Sequence, residues 1–216
     1  MSTAIFQTTG QALHVAFLIM SVEARQESPL RRALLQIMGQ QETLTTKQRD
    51  WMNQLIGEGS GTVNFGGLSS DEVRAQCAMV TQSVKTHLPA PEMHAIHARF
   101  IPTMVDELDG KRRIYFSQDR GDAIQALARW VRPGYPKIEE LAMDYVIAKV
   151  YVNHSLTEIS FRNLAQDFGS NHMTYARAFP KIKAQLKELE AMAINRLTPY
   201  FESTGLIESL MEGSCP

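Results

Sequence analysis

Ser160-Phe161-Arg162-Asn163-Leu164-Ala165-Gln166-Asp167-Phe168-Gly169-Ser170-Asn171-His172-Met173-Thr174-Tyr175-Ala176-Arg177-Ala178-Phe179 is the stretch on which the fold turns. Ser160 is placed to cap a short helix whose Leu164 and Phe168 face inward. Ala165 is small, as two closely crossing helices require. Gly169 stands where the chain must leave that helix, a position that demands positive φ. Asn171 is placed to cap the next helix, whose Tyr175 and Ala178 pack back on the first. His172, Thr174 and Arg177 are then left pointing outward near the start of the second helix.

Charge follows the same division. From Arg162 to Lys187 the cations are Arg162, Arg177, Lys181, Lys183 and Lys187 against Asp167 alone, a net +4. From Glu188 to Pro216 the anions are Glu188, Glu190, Glu202, Glu208 and Glu212 against Arg196 alone, a net −4. The chain as a whole carries −1, so no global field draws it onto a polyanion and a basic surface has to be local.

Upstream, Ile138 to Val152 reads as an amphipathic helix with Leu141, Tyr145, Val146, Lys149 and Val150 near one face. Downstream, Pro180 falls inside a continuing helical pattern, where a stop or kink is expected. The pattern resumes with Ile182, Leu186, Leu189, Ala193, Ile194 and Leu197, and Pro199 is expected to end it. That heptad-like helix is either a brace on the core or a dimer seam.

The succession of short helix, glycine turn, outward-reading helix and long helix resembles the helix-turn-helix DNA-binding family over about Ile159 to Phe179. Ala165 and Gly169 carry its Ala-x-x-x-Gly core. Ser170 stands where the family usually has an aliphatic residue, and Tyr175 where it prefers valine or isoleucine. Over Glu139 to Leu197 the layout is similar to the sigma-factor region that reads the −35 promoter element. It is similar as well to late antiterminators of lambdoid phages, of the phage 21 type. The resemblance implies a regulator of phage or mobile-element origin that binds double-stranded DNA. Its DNA-binding residues would be Ser170 with Asn171, His172, Thr174 and Arg177 of the recognition helix, which meet base edges and phosphates, and Arg162, Lys181 and Lys183 as phosphate contacts. RNA polymerase and a second copy of the chain are the further partners such a layout implies. A narrower reading is an antitermination factor that loads onto polymerase. The remaining alternatives are a phage terminase DNA-recognition subunit and an interaction module that binds no DNA.

The rest of the 216 residues reads as helices between breakers, so the expected class is all-α: a helical amino-terminal region, residues 1–132, and a carboxy-terminal helix-turn-helix domain, residues 133–216, ending in a long helix. Arg132-Pro133-Gly134, with Pro136 behind it, marks the boundary. Helices are expected over Gln11–Arg25, Leu30–Met38, from Thr46 through Ile56, from Ser69 to His87, from Pro91 past His97, and from Asp119 to Val131. Gly57 to Gly67 holds five glycines without the Gly-Lys-Ser/Thr ending of a phosphate loop, and reads as a connector. Asp109-Gly110 is a turn, and Lys111-Arg112-Arg113 followed by Ile114-Tyr115-Phe116 is the one place suited to a strand or hairpin. Methionine-rich helices with Trp51 and Trp130 predict a packed core.

Chemistry-bearing patterns are sparse. There is no Gly-x-Ser-x-Gly, no Walker loop and no His-Glu-x-x-His, so no enzyme and no cofactor is expected. His94 and His97 can share a helix face, and Asp106, Glu107 and Asp109 cluster before a turn, but neither set has a metal-binding pattern. Cys77 and Cys215 are too far apart in sequence to suggest a disulfide framework, which suits a reduced, cytoplasmic compartment. Leu13 to Met20 is apolar but interrupted by His14 and too short to span a bilayer.

Overall fold

The computed structural model describes residues 4–22, 63, 65, 68, 70–108, 111–152 and 159–208. The expected helices at Leu30–Met38 and Thr46–Ile56, with Trp51, lie outside these residues, as do most of the glycine-rich connector, Ser69, and the Asp109-Gly110 turn. The described elements are predominantly helical. In chain order they are α1 (Thr9–Met20), α2 (Ser70–His87), α3 (Ala90–Phe100), β1 (Thr103–Leu108), β2 (Lys111–Phe116), α4 (Gln118–Val131), α5 (Glu140–Tyr151), α6 (Phe161–Phe168) and α7 (His172–Ser203). A single 3-10 turn, Arg132–Gly134, follows α4. Among the described residues no helix is long and apolar enough to cross a membrane.

The chain divides into two compact units, one of Met1–His87 with Ile194–Pro216 and one of Leu88–Ala193. The boundary read at Pro133 falls inside the second unit. In the first unit Thr8 caps α1 by accepting the Gln11 N–H, and α1 packs on α2. The Arg74 guanidinium donates to the Val22 carbonyl at 2.9 Å, satisfying an acceptor just past the end of α1. Phe6 is fully covered; it bridges to Val63 and Ile207, and its N–H donates to the Leu206 carbonyl. Cys77 is buried, and burial pushes its thiol up to about 12, against the pull of Arg74.

In the second unit α3 packs on α4, α4 on α5, and α5 on α6. The basic segment after Gly110 does form a hairpin: β1 and β2 pair antiparallel from Thr103↔Phe116 to Leu108↔Lys111. Arg120 of α4 pins this hairpin down. Its buried guanidinium donates to Thr103 Oγ1 at 2.6 Å and to the Tyr151 carbonyl at 2.9 Å, and stands 5.0 Å from the Phe116 ring centre. Burial pulls its pKa down to about 10, with Tyr151 acting in the opposite sense.

Four sequence expectations are corrected here. Helix α7 continues through Pro180 and Pro199, so neither proline stops it. Each proline removes one backbone donor and crowds the preceding turn, but each is exposed and flanked by residues anchored in a core: Tyr175, Ala178 and Ile182 around Pro180, Leu197 and Phe201 around Pro199. Burying such side chains contributes about 1.5–3 kcal/mol each, enough together to outweigh a proline at about 3 kcal/mol. Of the expected α7 stripe, Ile182, Leu186, Leu189, Ala193 and Leu197 are buried within the chain and Ile194 is half-buried, which fits the brace rather than a seam along these residues. On α5 the buried face is Ala142, Met143, Val146, Ile147 and Ala148, whereas Leu141 and Tyr145 are 58% and 48% exposed. The two alanines let α5 approach its neighbours where bulkier side chains would hold it off. Trp130 is 41% exposed and is not a core residue.

Candidate nucleic-acid interface

Helices α6 and α7 meet through a three-residue turn whose hydrogen bonds can be followed one by one. Ser160 Oγ accepts the Arg162 N–H at 3.2 Å and starts α6. Gly169 ends it at φ 76°, ψ −167°, a region essentially restricted to glycine. Ser170 follows with φ 67° and donates its hydroxyl to the Lys137 carbonyl at 2.9 Å. Asn171 Oδ1 then accepts the Met173 N–H at 2.9 Å, capping α7. Tyr175 sends its hydroxyl back to the Gly169 carbonyl at 3.0 Å.

The two helices close on a shared core. Leu164, Tyr175, Ala178 and Ile182 are buried with Ile138, Met143, Val146 and Ile147 of the preceding segment. Phe168 stacks on Tyr145 at 5.4 Å, and Phe161 meets Phe179 edge-on at 5.3 Å. The Lys149 ammonium lies 5.2 Å from the Phe161 ring centre and donates to the Ile159 carbonyl at the entry to α6.

With the inward face of α7 filled, the residues singled out from sequence lie outside. Arg162, Ser170, Asn171, His172, Arg177, Lys181 and Lys183 are exposed and Thr174 is half-buried. Two of them have structural duties as well, Ser170 toward Lys137 and Asn171 as the cap. Among the described residues none of Arg162, Arg177, Lys181 and Lys183 is held in an ion pair. Lys187 is: its ammonium lies 2.8 Å from Glu190, which also holds Arg99 at 3.2 Å. The local excess of positive charge available to a partner is therefore carried by four side chains rather than five.

At 3.6 residues per turn the side chains from Asn171 onward fall on two flanks of α7. Asn171, Thr174, Arg177 and Lys181 line an open groove of about 530 Å³, whose opposite wall is the loop Gly134 to Ile138. His172 and Lys183, eleven residues apart, return to nearly the same direction on the other flank. Sequence reasoning missed two groove residues. Met173 is 44% exposed and stands one turn before Arg177, where a thioether can meet a thymine methyl. Lys137 lies 33 residues before Ser170 in sequence, and only the folded chain brings it here.

Other candidate chemistry is thin. Among the described residues no group of three or more His, Cys, Asp or Glu is placed to hold a metal ion. His94 Nδ1 is buried without a hydrogen-bond partner, and burial, then Arg129, lowers its pKa below the ordinary histidine range. The backbone of Asp106, Glu107 and Lys111 to Arg113 runs in the hairpin, while Asp109 lies outside the described residues. No protein-family profile matches the chain, and no curated protein matches it.

Proposed function

We propose that this chain is a sequence-specific DNA-binding regulator of transcription, acting in the cytoplasm without catalysis, that lays the first turns of α7 in the major groove. The observation that carries the reading is the outward face of the α6–α7 pair. It presents four cations that are held in no ion pair among the described residues, one on α6 and three along α7, with polar side chains at the start of α7 on a turn fixed by Gly169, Asn171 and Tyr175. A helix N-terminus adds backbone N–H groups and a favourable dipole for phosphate. Arg177 is assigned to base edges and Lys183 to backbone phosphate.

The two roles separate experimentally. Arg177→Ala should weaken binding by about 1–3 kcal/mol and relax preference at one base pair, if the guanidinium holds a guanine through two hydrogen bonds. Lys183→Ala should weaken all sequences alike and lower the salt dependence. Competition binding with single-base variants of the preferred site reads both. An Arg177→Ala chain with unchanged affinity and unchanged preference would show that α7 does not read DNA.

A further inference from the structure

We infer that the loop Gly134 to Ile138 is a second DNA-contacting element, in which the Lys137 ammonium, on the wall of the groove that faces α7, binds a backbone phosphate flanking the bases that α7 reads. The inference rests on the DNA-binding reading and adds to it a wall that lies outside the α6–α7 pair.

The groove is open to solvent and, at about 530 Å³, roomier than a single small ion needs. Its charged lining is Lys137, Arg177 and Lys181, with no carboxylate among the lining residues. The nearest acidic side chains in sequence are turned to other tasks. Glu139 accepts the Ala142 N–H at 3.2 Å as the cap of α5, and Glu140 pairs with Arg132 at 2.6 Å. The groove is thus lined by cations on both walls with no carboxylate between them, which suits a polyanion that can touch both at once.

The loop is also held in register with the turn between α6 and α7. The Ser170 hydroxyl takes the Lys137 carbonyl, so the backbone of residue 137 is fixed while its side chain stays exposed. A phosphate contact made there is set at a defined offset from the base-reading residues. Such a contact positions the protein along the duplex without carrying sequence information.

The test is the slope of log affinity against log salt for wild-type chain, Lys137→Ala and the control Lys85→Ala on duplex DNA. Lys85 is an exposed cation of α2, in the other unit. Only the side chain of Lys137 is removed, and its carbonyl bond to Ser170 is retained. Loss of one phosphate contact should lower the slope by about 0.9, weaken binding about eightfold at about 0.1 M salt, and leave the preferred sequence unchanged. Lys85→Ala should match wild type. If wild type binds with a sequence preference and Lys137→Ala keeps its slope, the loop contact is overturned while the reading of α7 stands. If Lys85→Ala lowers the slope as much as Lys137→Ala does, the effect is general charge and the inference is overturned. If wild type retains no duplex, both fall together.

Discussion

The Tyr175 hydroxyl donates to the Gly169 carbonyl at 3.0 Å, closing the turn between α6 and α7 from inside the second helix. A valine or isoleucine at 175 would fill the core but leave that carbonyl to other partners. Tyrosine fills the core and satisfies the turn together, which accounts for its size at this position. Tyr175→Phe should therefore cost about 1 kcal/mol of stability, the worth of one partly buried hydrogen bond. Urea midpoints measure it, and an unchanged midpoint would show that the bond contributes nothing.

Gly169 and Gly121 make a paired test of backbone conformation. Neither has any atom within 4 Å of where a Cβ would stand, so crowding plays no part at either. At φ 76°, ψ −167° Gly169→Ala should destabilise by about 1–3 kcal/mol. Gly121 sits within α4 and has no positive φ, so Gly121→Ala should stabilise by about 1 kcal/mol. Opposite signs in one denaturation series are expected, and equal signs would contradict the conformational argument.

Glu190 is buried, whereas its partners Arg99 and Lys187 are 47% and 39% exposed at their side chains. The asymmetry predicts unequal costs. Removing the carboxylate by Glu190→Gln frees two cations that can turn to water, and should cost no more than about 1 kcal/mol. Removing both cations in Arg99→Ala/Lys187→Ala strands a buried charge and should cost about 3–5 kcal/mol. Denaturant unfolding of the two variants decides it, and a larger loss for Glu190→Gln would contradict the account.

His94 gives a pH dependence with a definite sign. Its pKa is lowered from 6.5 in the folded chain, first by burial and then by Arg129, so below pH 6.5 the unfolded chain holds more protons. The stabilisation is fully present above that value and is lost as pH falls through the lowered one. Asp144, raised from 3.8 by burial and Glu140, contributes in the opposite sense. Between about pH 7.5 and 5.5 wild type should lose more stability than His94→Gln. Parallel losses in the two chains would remove His94 from the account.

The α6–α7 turn was legible residue by residue because each of its determinants is local: a serine cap, a glycine exit and an asparagine cap within twelve residues. The length of α7 was not, because the prolines argue locally against a helix that distant partners of Tyr175, Ile182, Leu197 and Phe201 hold together. Helix α5 is apolar on most sides, so periodicity alone did not tell Leu141 and Tyr145 from the buried Met143 and Ile147. The outward cations could be named from spacing, but the groove could not. Its far wall lies in the loop before α5, and a serine hydroxyl joined to a backbone carbonyl 33 residues away leaves no pattern in the sequence.

The most direct measurement is a salt-titrated binding selection, in which fragments of random genomic DNA retained by the full chain are sequenced alongside those retained by Arg177→Ala. The account predicts one enriched motif for wild type, retention that falls steeply with salt, and loss or blurring of the motif in the variant. No retention by wild type even at low salt, or one identical motif from both chains, would contradict it.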